Sequence, residues 1–363
     1  MSPARKSTKR ASANRPAHAA DATIDLARLL DIVAAFPRQT IAVVGDLVLD
    51  EFVSGEISRV SREAPVLILR HRRTEAYPGG AANAANNIAE LGARAIPIGA
   101  VGDDEGGEKL LDLFRAKNMD VSGIFRTGER PTTTKTRYLA GWTHTTEQQV
   151  LRVDREPGSA LPEKIERAIE RKARAVASRA DAVLISDYGT GAAAPSLVRK
   201  LKSKLLTLDS RYRLLEFRDA GVTAATPNES EIEAAYHARV GGDLGKLGEL
   251  GARALRELGA EALVVTRGKD GLSVFESDSA GARVASHSPR HIPIYGSETP
   301  VDVTGAGDTV IAVFTLALAA GASYLEAAHL ANYAGGIVVM KRRTATVTRA
   351  ELESALAREA AHA

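Results

Sequence analysis

The hydrophobic positions of the chain predict strands and helices that alternate along most of its length. The first predicted helix covers residues 24–35, and the apolar strand that follows, 40–44, ends in Gly45-Asp46. From residue 163 the alternation is regular, with predicted helices at 163–178, 194–202, 229–237, 244–258, 308–319 and 324–340 and predicted strands at 182–185, 205–208, 223–226 and 262–266. Such repetition is typical of a mostly parallel sheet with helices on both faces, so we expect an α/β fold.

Short segments rich in β-forming residues interrupt this alternation in two places. They cover residues 51–54, 66–70, 132–140 and 149–153, and we expect them to build one small separate sheet. Between the two interruptions the pattern predicts a helix at 81–91, a strand at 95–100 and a helix at 105–117. A hairpin that pairs residues 271–276 with 283–287 is predicted later in the chain.

The positive charge of the chain is concentrated at its amino terminus. Residues 1–20 hold five Lys or Arg residues and no acid, and the remainder carries a net charge of about −2. We therefore expect a flexible basic tail at 1–22 and a main domain at 23–350, with the insertion strands near 51–70 and 131–153. Residues 351–363 are expected to form a C-terminal helix or tail. The body is not a basic surface, so no nucleic-acid partner is expected.

Composition excludes several further classes of protein. Hydrophobic residues make up 44% of the chain and charged residues 26%, which is ordinary for a globular protein. No apolar run follows the basic stretch as in a secretory signal, and no run is long enough to span a bilayer. The absence of cysteine excludes disulfides, thiol nucleophiles and Cys-ligated zinc. We expect a cytoplasmic protein that handles a metabolite and has no membrane partner.

The most informative segment is DVTGAGDT at residues 302–309, directly before an apolar helix. Gly305, Ala306 and Gly307 allow successive N–H groups to converge at a helix amino terminus, which favours the binding of anionic oxygen and of a transferring phosphoryl group. Asp308 directly after this turn is the candidate base that accepts the proton of an acceptor hydroxyl. The alternative is a glycine turn in which Asp308 caps the helix.

Two other segments favour the first interpretation. Gly79 and Gly80 precede a helix that holds Asn83, whose amide offers a donor and an acceptor to sugar hydroxyls. Asn228 and Glu231 share one helical face after a strand, and could order Mg²⁺-bound water around nucleotide phosphates, so Glu231 is a candidate metal contact through water. Ordinary turns and helix caps remain the alternative at both places. A G-x-x-x-x-G-K-[ST] loop and a G-x-G-x-x-G turn after the first strand are both absent, which excludes a P-loop NTPase and leaves a Rossmann dehydrogenase unsupported.

Together and in this order, GGAANAANN near residue 80, PNESE near 228 and DVTGAGDT near 302 resemble the ribokinase-like (PfkB) carbohydrate kinase family. The resemblance covers about residues 41–347 and implies a ribokinase-like fold in which the insertion strands form a β lid and a homodimer clasp. It implies ATP and Mg²⁺, and for some members a monovalent cation. It implies Asp308 as the catalytic base with Gly305, Ala306 and Gly307 as the anion hole. The nucleotide residues that it implies are Asn228, Glu231, Arg211, Thr266, Gly268, Gly271 and Asn332.

Within the family, VVGDLVLDEF, SRVSREAPV, TTTKTRYLA, QQVLRVD and SDYGTG resemble the subfamily that phosphorylates the anomeric hydroxyl of a heptose 7-phosphate. A substrate that already carries a phosphate requires cations at its far end, and Arg59, Lys135 and Arg137 are the candidates. Lys135 and Arg137 alternate along one strand and therefore share a face. Asp46, Asp50 and Asp187 at strand ends are candidate acceptors for sugar hydroxyls.

The chain departs from the subfamily at three places. Thr190 replaces a lysine in SDYGTG, Ser210-Arg211 replaces a Pro-Lys pair, and Arg342-Arg343 replaces a Leu-Gly pair. Two alternatives stay open: a kinase for another sugar or sugar phosphate, and a catalytically weak homologue that binds nucleotide or sugar as a regulatory module.

Overall fold

The computed structural model describes residues 24–142, 147–277 and 289–361, and the predicted basic tail lies outside them. The strands in these ranges are β1 Thr40–Gly45, β2 Leu47–Val60, β3 Leu67–Gly80, β4 Arg94–Gly102, β5 Ile124–Thr127, β6 Thr133–Gly141, β7 Gln148–Arg155, β8 Ala182–Asp187, β9 Leu206–Ser210, β10 Ala224–Ala225, β11 Ala262–Thr266, β12 Leu272–Glu276 and β13 Arg290–Ile292. The helices are α1 Leu26–Ala35, α2 Ala81–Glu90, α3 Glu105–Arg115, α4 Glu163–Ala177, α5 Pro195–Val198, α6 Glu229–Tyr236, α7 Leu244–Leu258, α8 Ala306–Ala319, α9 Tyr324–Val338 and α10 Arg349–Ala360.

A central sheet carries the main body of the fold. Among the described residues it has nine strands in the order β13-β12-β11-β10-β9-β8-β1-β4-β5. The strands run in the same direction except β12, which pairs antiparallel with β11 and with β13 at one edge. The chain therefore has the mostly parallel α/β sheet that the sequence predicted.

Alternate residues of β1 point into two separate hydrophobic layers, because successive side chains of a strand face opposite sides of the sheet. Ile41 and Val43 pack with α1, α2, α8, α9 and α10, whereas Ala42 and Val44 pack with α4 and α7. Both layers are thus covered by helices. No helix in the described parts of the chain is both long and apolar enough to cross a bilayer.

The insertion strands pair in one four-stranded sheet, in the order β3-β2-β6-β7, as predicted. We refer to this sheet as the lid. A single residue, Asp46, separates β1 from β2, and β3 leads without a break into α2. Gly80 at this second junction has φ +57°, and an added Cβ would lie 2.9 Å from the Asp46 carbonyl oxygen, so these two of the chain connections between lid and body are tightly built.

Arg343 ties the lid to the body at a second place. Its guanidinium donates to Glu147 at 2.8 Å and to Ser54 at 3.2 Å, and lies 5.1 Å from the Phe52 ring centroid. Arg343 has φ +70°, a conformation that costs a residue with a Cβ about 1–2 kcal/mol. The lid contacts offset this strain.

Three predictions of elements were inaccurate. The helix predicted at 194–202 is shorter and covers only α5. Among residues 199–204 only Leu201 is apolar, so a longer helix would have little apolar surface to pack. The short strands β5 and β13 were not predicted at all. The predicted partner of β12, residues 283–287, lies outside the described residues; within them β12 pairs with β13, at Leu272↔Ile292.

Candidate active site

The carboxyl edge of the central sheet gathers acidic side chains from three adjacent strands. Asp46 follows β1, Asp187 ends β8, and Asp209 lies on β9. Ligands of open parallel sheets collect at this edge. The lid and the start of α8 reach the same place, because Lys135 of β6 and Asp308 both contact Tyr188 in the loop after β8.

The turn before α8 leaves backbone N–H groups without an internal acceptor. Gly305 has φ +78°, which favours glycine, and Ala306 donates its N–H to the Val303 carbonyl oxygen at 3.2 Å. In the described chain the N–H groups of Gly307 and Asp308 have no acceptor, as is typical of the first helical turn. The anion site therefore has fewer available N–H groups than predicted, because the N–H of Ala306 is used within the turn.

Asp308 is a buried carboxylate, 3% exposed, that accepts one hydrogen bond at each oxygen. Asn83 donates to Oδ2 at 3.0 Å and Tyr188 donates its hydroxyl to Oδ1 at 2.8 Å. Burial raises the pKa of Asp308 to about 6, and the charge of Asp50 adds to the rise, whereas the two hydrogen bonds and Lys135 oppose it. A base with a pKa near this value is ionised at neutral pH and still accepts a proton readily.

Asn83 holds Asp308 in place, and the binding of sugar hydroxyls by its amide stays a prediction. Its Nδ2 donates to Asp308 and to the Gly305 carbonyl oxygen, and its Oδ1 accepts from Asn87 at 3.1 Å. Asn87 in turn accepts from the Thr309 hydroxyl at 3.2 Å. Both N–H donors of the fully buried amide are thus used by protein groups, and an added Cβ at Gly305 would lie 2.5 Å from its Nδ2.

Asp46 organises the loop after β8, and its role as an acceptor for sugar hydroxyls stays a prediction. Its carboxylate accepts the N–H groups of Tyr188, Thr190 and Ala192 at 2.8–3.0 Å. Behind it lies a cavity of about 20 Å³, enough for one water, which Arg130 also lines. One Arg130 nitrogen donates to the Thr190 carbonyl oxygen, and Nη1 is buried without a protein partner.

Asp50 and Arg137 form a buried ion pair, so Arg137 does not offer a free cation to a substrate phosphate as predicted. The other Asp50 oxygen accepts from the Thr344 hydroxyl at 3.0 Å, and Arg137 lies 5.2 Å from the Phe52 ring centroid. Gly79 is required beside this pair, because an added Cβ would lie 2.6 Å from the Asp50 carboxylate. Both charges are compensated within the protein.

Asp187 is likewise committed to the protein rather than to sugar, against its prediction. Arg213 binds both of its oxygens, and Ser210 donates to Oδ2 at 2.7 Å. The N–H of Gly189 donates to Oδ1 at 3.1 Å. The register Asp187↔Ser210 between β8 and β9 places these groups together.

Lys135 is the one predicted phosphate-binding cation that reaches the site without a carboxylate partner among the described residues. Its Nζ lies 5.1 Å from the Tyr188 ring centroid, and the Arg211 guanidinium lies 6.0 Å from the same centroid. Burial and the charge of Arg211 lower the pKa of Lys135. Arg59 is not brought to the site: it is exposed and lies nine residues beyond Asp50 along β2, or about 30 Å in an extended strand.

The predicted nucleotide residues meet at the ends of β9, β10 and β11. Asn228 pairs with Thr266 in a parallel bridge, and Asn228 and Glu231 form the capping box of α6, each accepting the other's N–H at 2.8 Å. Burial raises the pKa of Glu231 to about 7. Burial, followed by the charge of Glu231, raises the pKa of Asp209 well above its usual value.

Gly268 and Gly271 shape the turn after β11, with φ +56° and +78°. An added Cβ at Gly271 would lie 2.0 Å from the Ile292 carbonyl oxygen, so the turn requires glycine. Asn332, predicted near the nucleotide base, donates its amide to the Pro293 carbonyl oxygen at 2.8 Å. It therefore fixes the segment after β13.

A comparison with protein-family models matches residues 38–350 to the pfkB family of carbohydrate kinases. The chain belongs to this family. It is accordingly a phosphotransferase that acts on a sugar hydroxyl.

Curated relatives of this pfkB kinase include longer proteins. Bifunctional protein HldE of Geobacter metallireducens is 40% identical over 317 residues, which cover 85% of this chain and 61% of the relative. The protein of the same name from Mesorhizobium japonicum is 40% identical over 337 residues, covering 90% and 64%. The chain thus spans less than two thirds of the length of these relatives.

Solved structures share the fold of the kinase at low identity. Phosphofructokinase-2 of Escherichia coli in complex with substrates and products has a TM-score of 0.69 at 19% identity, covering 88% of this chain and 99% of that chain. Ribokinase of Arabidopsis thaliana complexed with ribose and ATP has a TM-score of 0.63 at 17% identity, covering 88% and 98%.

Asp209 and Glu231 fit a divalent cation, which kinases of this type use together with ATP. Asp209 and Glu231 are partly buried, and the charge of Glu231 raises the pKa of Asp209, so a cation between the two carboxylates would stabilise both. Among the described residues no cluster holds three or more His, Cys, Asp or Glu side chains that could hold a metal. This suits Mg²⁺, which commonly takes one or two carboxylates and completes its shell with water and phosphate.

Four residues of the site were not predicted as functional: Tyr188, Asp209, Asn87 and Thr344. Asp209 at the carboxyl end of a strand carried a usable signal, since acids at that edge face ligands. The other three carried no such signal. The partners of Tyr188 and Thr344 lie 120 and 294 residues away in sequence, and the partner of Asn87 depends on which residues share a face of α2.

We predict that replacing Glu231 changes how stability depends on pH. The folded pKa of about 7 exceeds the ordinary 4.5, so the protein without metal loses stability as pH rises between these values. Glu231→Gln keeps the capping box and removes this loss. Its Tm without Mg²⁺ should exceed that of the wild type at pH 8, and the difference should vanish near pH 4.5.

Glu351→Gln is the matched control, since Glu351 occupies the same position in the capping box of α10. Its partial burial is outweighed by hydrogen bonds from Lys341 and Thr348, which lower its pKa. This variant should lower the Tm at pH 8, with the difference shrinking as pH falls. Parallel pH profiles for Glu231→Gln and the wild type would contradict the prediction.

Proposed function

We propose that the chain transfers the γ-phosphoryl group of ATP to the anomeric hydroxyl of D-glycero-β-D-manno-heptose 7-phosphate, giving the 1,7-bisphosphate and ADP. The observation that carries the proposed chemistry is the buried Asp308 carboxylate, held at both oxygens, beside two N–H groups without an internal acceptor. This arrangement suits proton acceptance next to a site where negative charge develops.

In the proposed reaction Asp308 accepts the proton of the anomeric hydroxyl as that oxygen attacks phosphorus. The N–H groups of Gly307 and Asp308 stabilise the negative charge of the transferring group. Bound Mg·ATP supplies the phosphoryl group, whose bond to the ADP oxygen breaks as the bond to the sugar oxygen forms. Asp209 and Glu231 would hold Mg²⁺, and Thr266, Gly268 and Gly271 would lie along the nucleotide.

We assign the phosphate of the substrate to Lys135 and also to Arg211, which the family resemblance had implied as a nucleotide residue. Both cations flank the Tyr188 ring at the mouth of the site, and Lys135 has no carboxylate partner in the described chain. Arg137 is neutralised by Asp50 and Arg59 lies far along the lid, so Lys135 is the remaining cation of the predicted three. A desolvated ammonium without a partner is stabilised by an arriving dianion. The motifs shared with the heptose-phosphate subfamily support the same substrate.

We also propose that the lid forms the interface of a homodimer. β7 is an edge strand, every residue of it is exposed, and Leu151 and Val153 on one of its faces are 55% and 49% exposed. An unpaired edge with apolar side chains favours a second strand of the same kind. A second copy of the chain, placed by a two-fold axis, supplies such a strand.

Asp308→Asn should reduce kcat at least 100-fold, because it removes the proton acceptor and keeps the size of the side chain. ATP should still raise the Tm of the variant as it does for the wild type, since the turn before α8 is unchanged. ADP release and thermal shift provide the two measurements. Near-normal turnover in Asp308→Asn would show that another group acts as the base.

Lys135→Met should raise KM for the phosphorylated sugar about 10- to 100-fold, with a smaller effect on kcat, because one charge-assisted contact is lost. Lys109→Met is the control, since Lys109, on α3, pairs with Glu51 of β2 and with Glu105 of its own helix. The measurement is ADP release across heptose 7-phosphate, hexose phosphates and bare sugars. A preference for bare sugars would reject the phosphate site and favour another sugar as substrate. Absence of turnover with every sugar would favour a regulatory homologue.

Leu151→Asp should shift the protein toward the monomer in sedimentation-velocity experiments, because two carboxylates would meet at the interface. Leu244→Asp is the matched control: Leu244 is similarly exposed but lies at the first turn of α7. An unchanged sedimentation coefficient for Leu151→Asp would place the interface elsewhere.

A further inference from the structure

Tyr188 connects most of the groups of the active site and has no assigned role. It lies in the loop after β8, where its N–H donates to Asp46 at 2.8 Å. Its hydroxyl donates to Oδ1 of Asp308 at 2.8 Å. Lys135 and Arg211 both contact its ring. One side chain therefore touches the base and both cations.

The orientation of a carboxylate is weakly restricted by its own torsion, because the terminal rotation of aspartate is broad. Asn83 alone would fix one oxygen of Asp308 and leave the plane of the group free to rotate about that contact. A second donor at the other oxygen fixes the plane. Each oxygen then keeps one lone pair, in a defined direction, for the hydroxyl that is to be deprotonated.

We propose that Tyr188 is a positioning residue for phosphoryl transfer, whose hydroxyl fixes the Asp308 carboxylate and whose ring holds Lys135 and Arg211 at the mouth of the site. This inference rests on the proposed role of Asp308 as the base. Proton transfer requires donor and acceptor within hydrogen-bond reach in a defined geometry, so loss of the fixed plane lowers kcat.

The tyrosine remains a donor throughout the range in which Asp308 titrates. Burial and the charges of Asp308 and Asp209 raise the pKa of Tyr188 well above its usual value. The charged groups that face Asp308 are Asp50 from β2, Lys135 from β6 and Asp209 from β9. Of the two donors to Asp308, only Tyr188 can be changed without altering the packing of α2.

Tyr188→Phe removes the hydroxyl and keeps the ring. We expect kcat to fall about 10- to 100-fold, as for loss of one hydrogen bond to a charged group, with KM for ATP unchanged. The acid limb of the kcat/KM profile should move upward by about one pH unit, because the hydrogen bond favours ionised Asp308. Tyr212→Phe is the matched control: Tyr212 is 70% exposed and contacts Arg211. Loss of the Tyr212 hydroxyl should change neither kcat nor the acid limb of the kcat/KM profile.

The outcomes separate the inference from the proposed function. A normal kcat and an unshifted acid limb in Tyr188→Phe, with Asp308→Asn inactive, would overturn the inference alone. A change confined to KM would also overturn it, because that result indicates a role in binding only. Full activity of Asp308→Asn would reject the base itself. If Tyr188→Phe does not fold, as judged by the ATP-induced shift in Tm, Tyr188→Met also lacks the hydroxyl; because it lacks the ring as well, only its acid limb, and not its KM, tests the inference.

Discussion

Burial of the Asp308 carboxylate is the constraint on which the rest of the site depends. A carboxylate at this depth costs free energy unless donors reach it, and its two donors come from α2 and from the loop after β8. Asn83 is in turn fixed by Asn87, and the loop by Asp46. Three parts of the chain that are far apart in sequence are thus held together so that one ionisable group has a defined place.

The acidic residues at the carboxyl edge divide into two groups according to their partners. Asp50 and Asp187 are bound by arginines, and Asp46 by three backbone amides. Asp308, Asp209 and Glu231 have no cation bound directly among the described residues, and their pKa values are raised. The first group builds the cleft. The second group holds the uncompensated charge that reaction chemistry requires.

The sequence was sufficient for the alternation of strands and helices, the separate lid sheet and the three glycine-containing segments, because these depend on local pattern. It did not separate the acidic residues that arginines or backbone amides bind from those that have no directly bound cation among the described residues. Asp46, Asp50 and Asp187 were expected to face sugar because each ends or follows a strand, but the partners that occupy them come from distant segments. Arg137 was misassigned for the same reason: strand alternation gives its face, but not the acid on β2 that neutralises it. No sequence pattern indicated the contact between Tyr188 and Asp308.

Arg343 connects the lid to the turn before α8, two parts that are distant in sequence. Its N–H binds Asp302 at the start of the turn before α8, while its guanidinium binds the lid. Thr344 beside it donates to Asp50. The lid therefore cannot swing open as an independent flap: it either breaks these bonds or pulls the 341–344 segment with it. Because such coupling is reciprocal, any shift of the lid acts on the turn before α8, and any shift of the turn acts on the lid, through the bonds of one arginine.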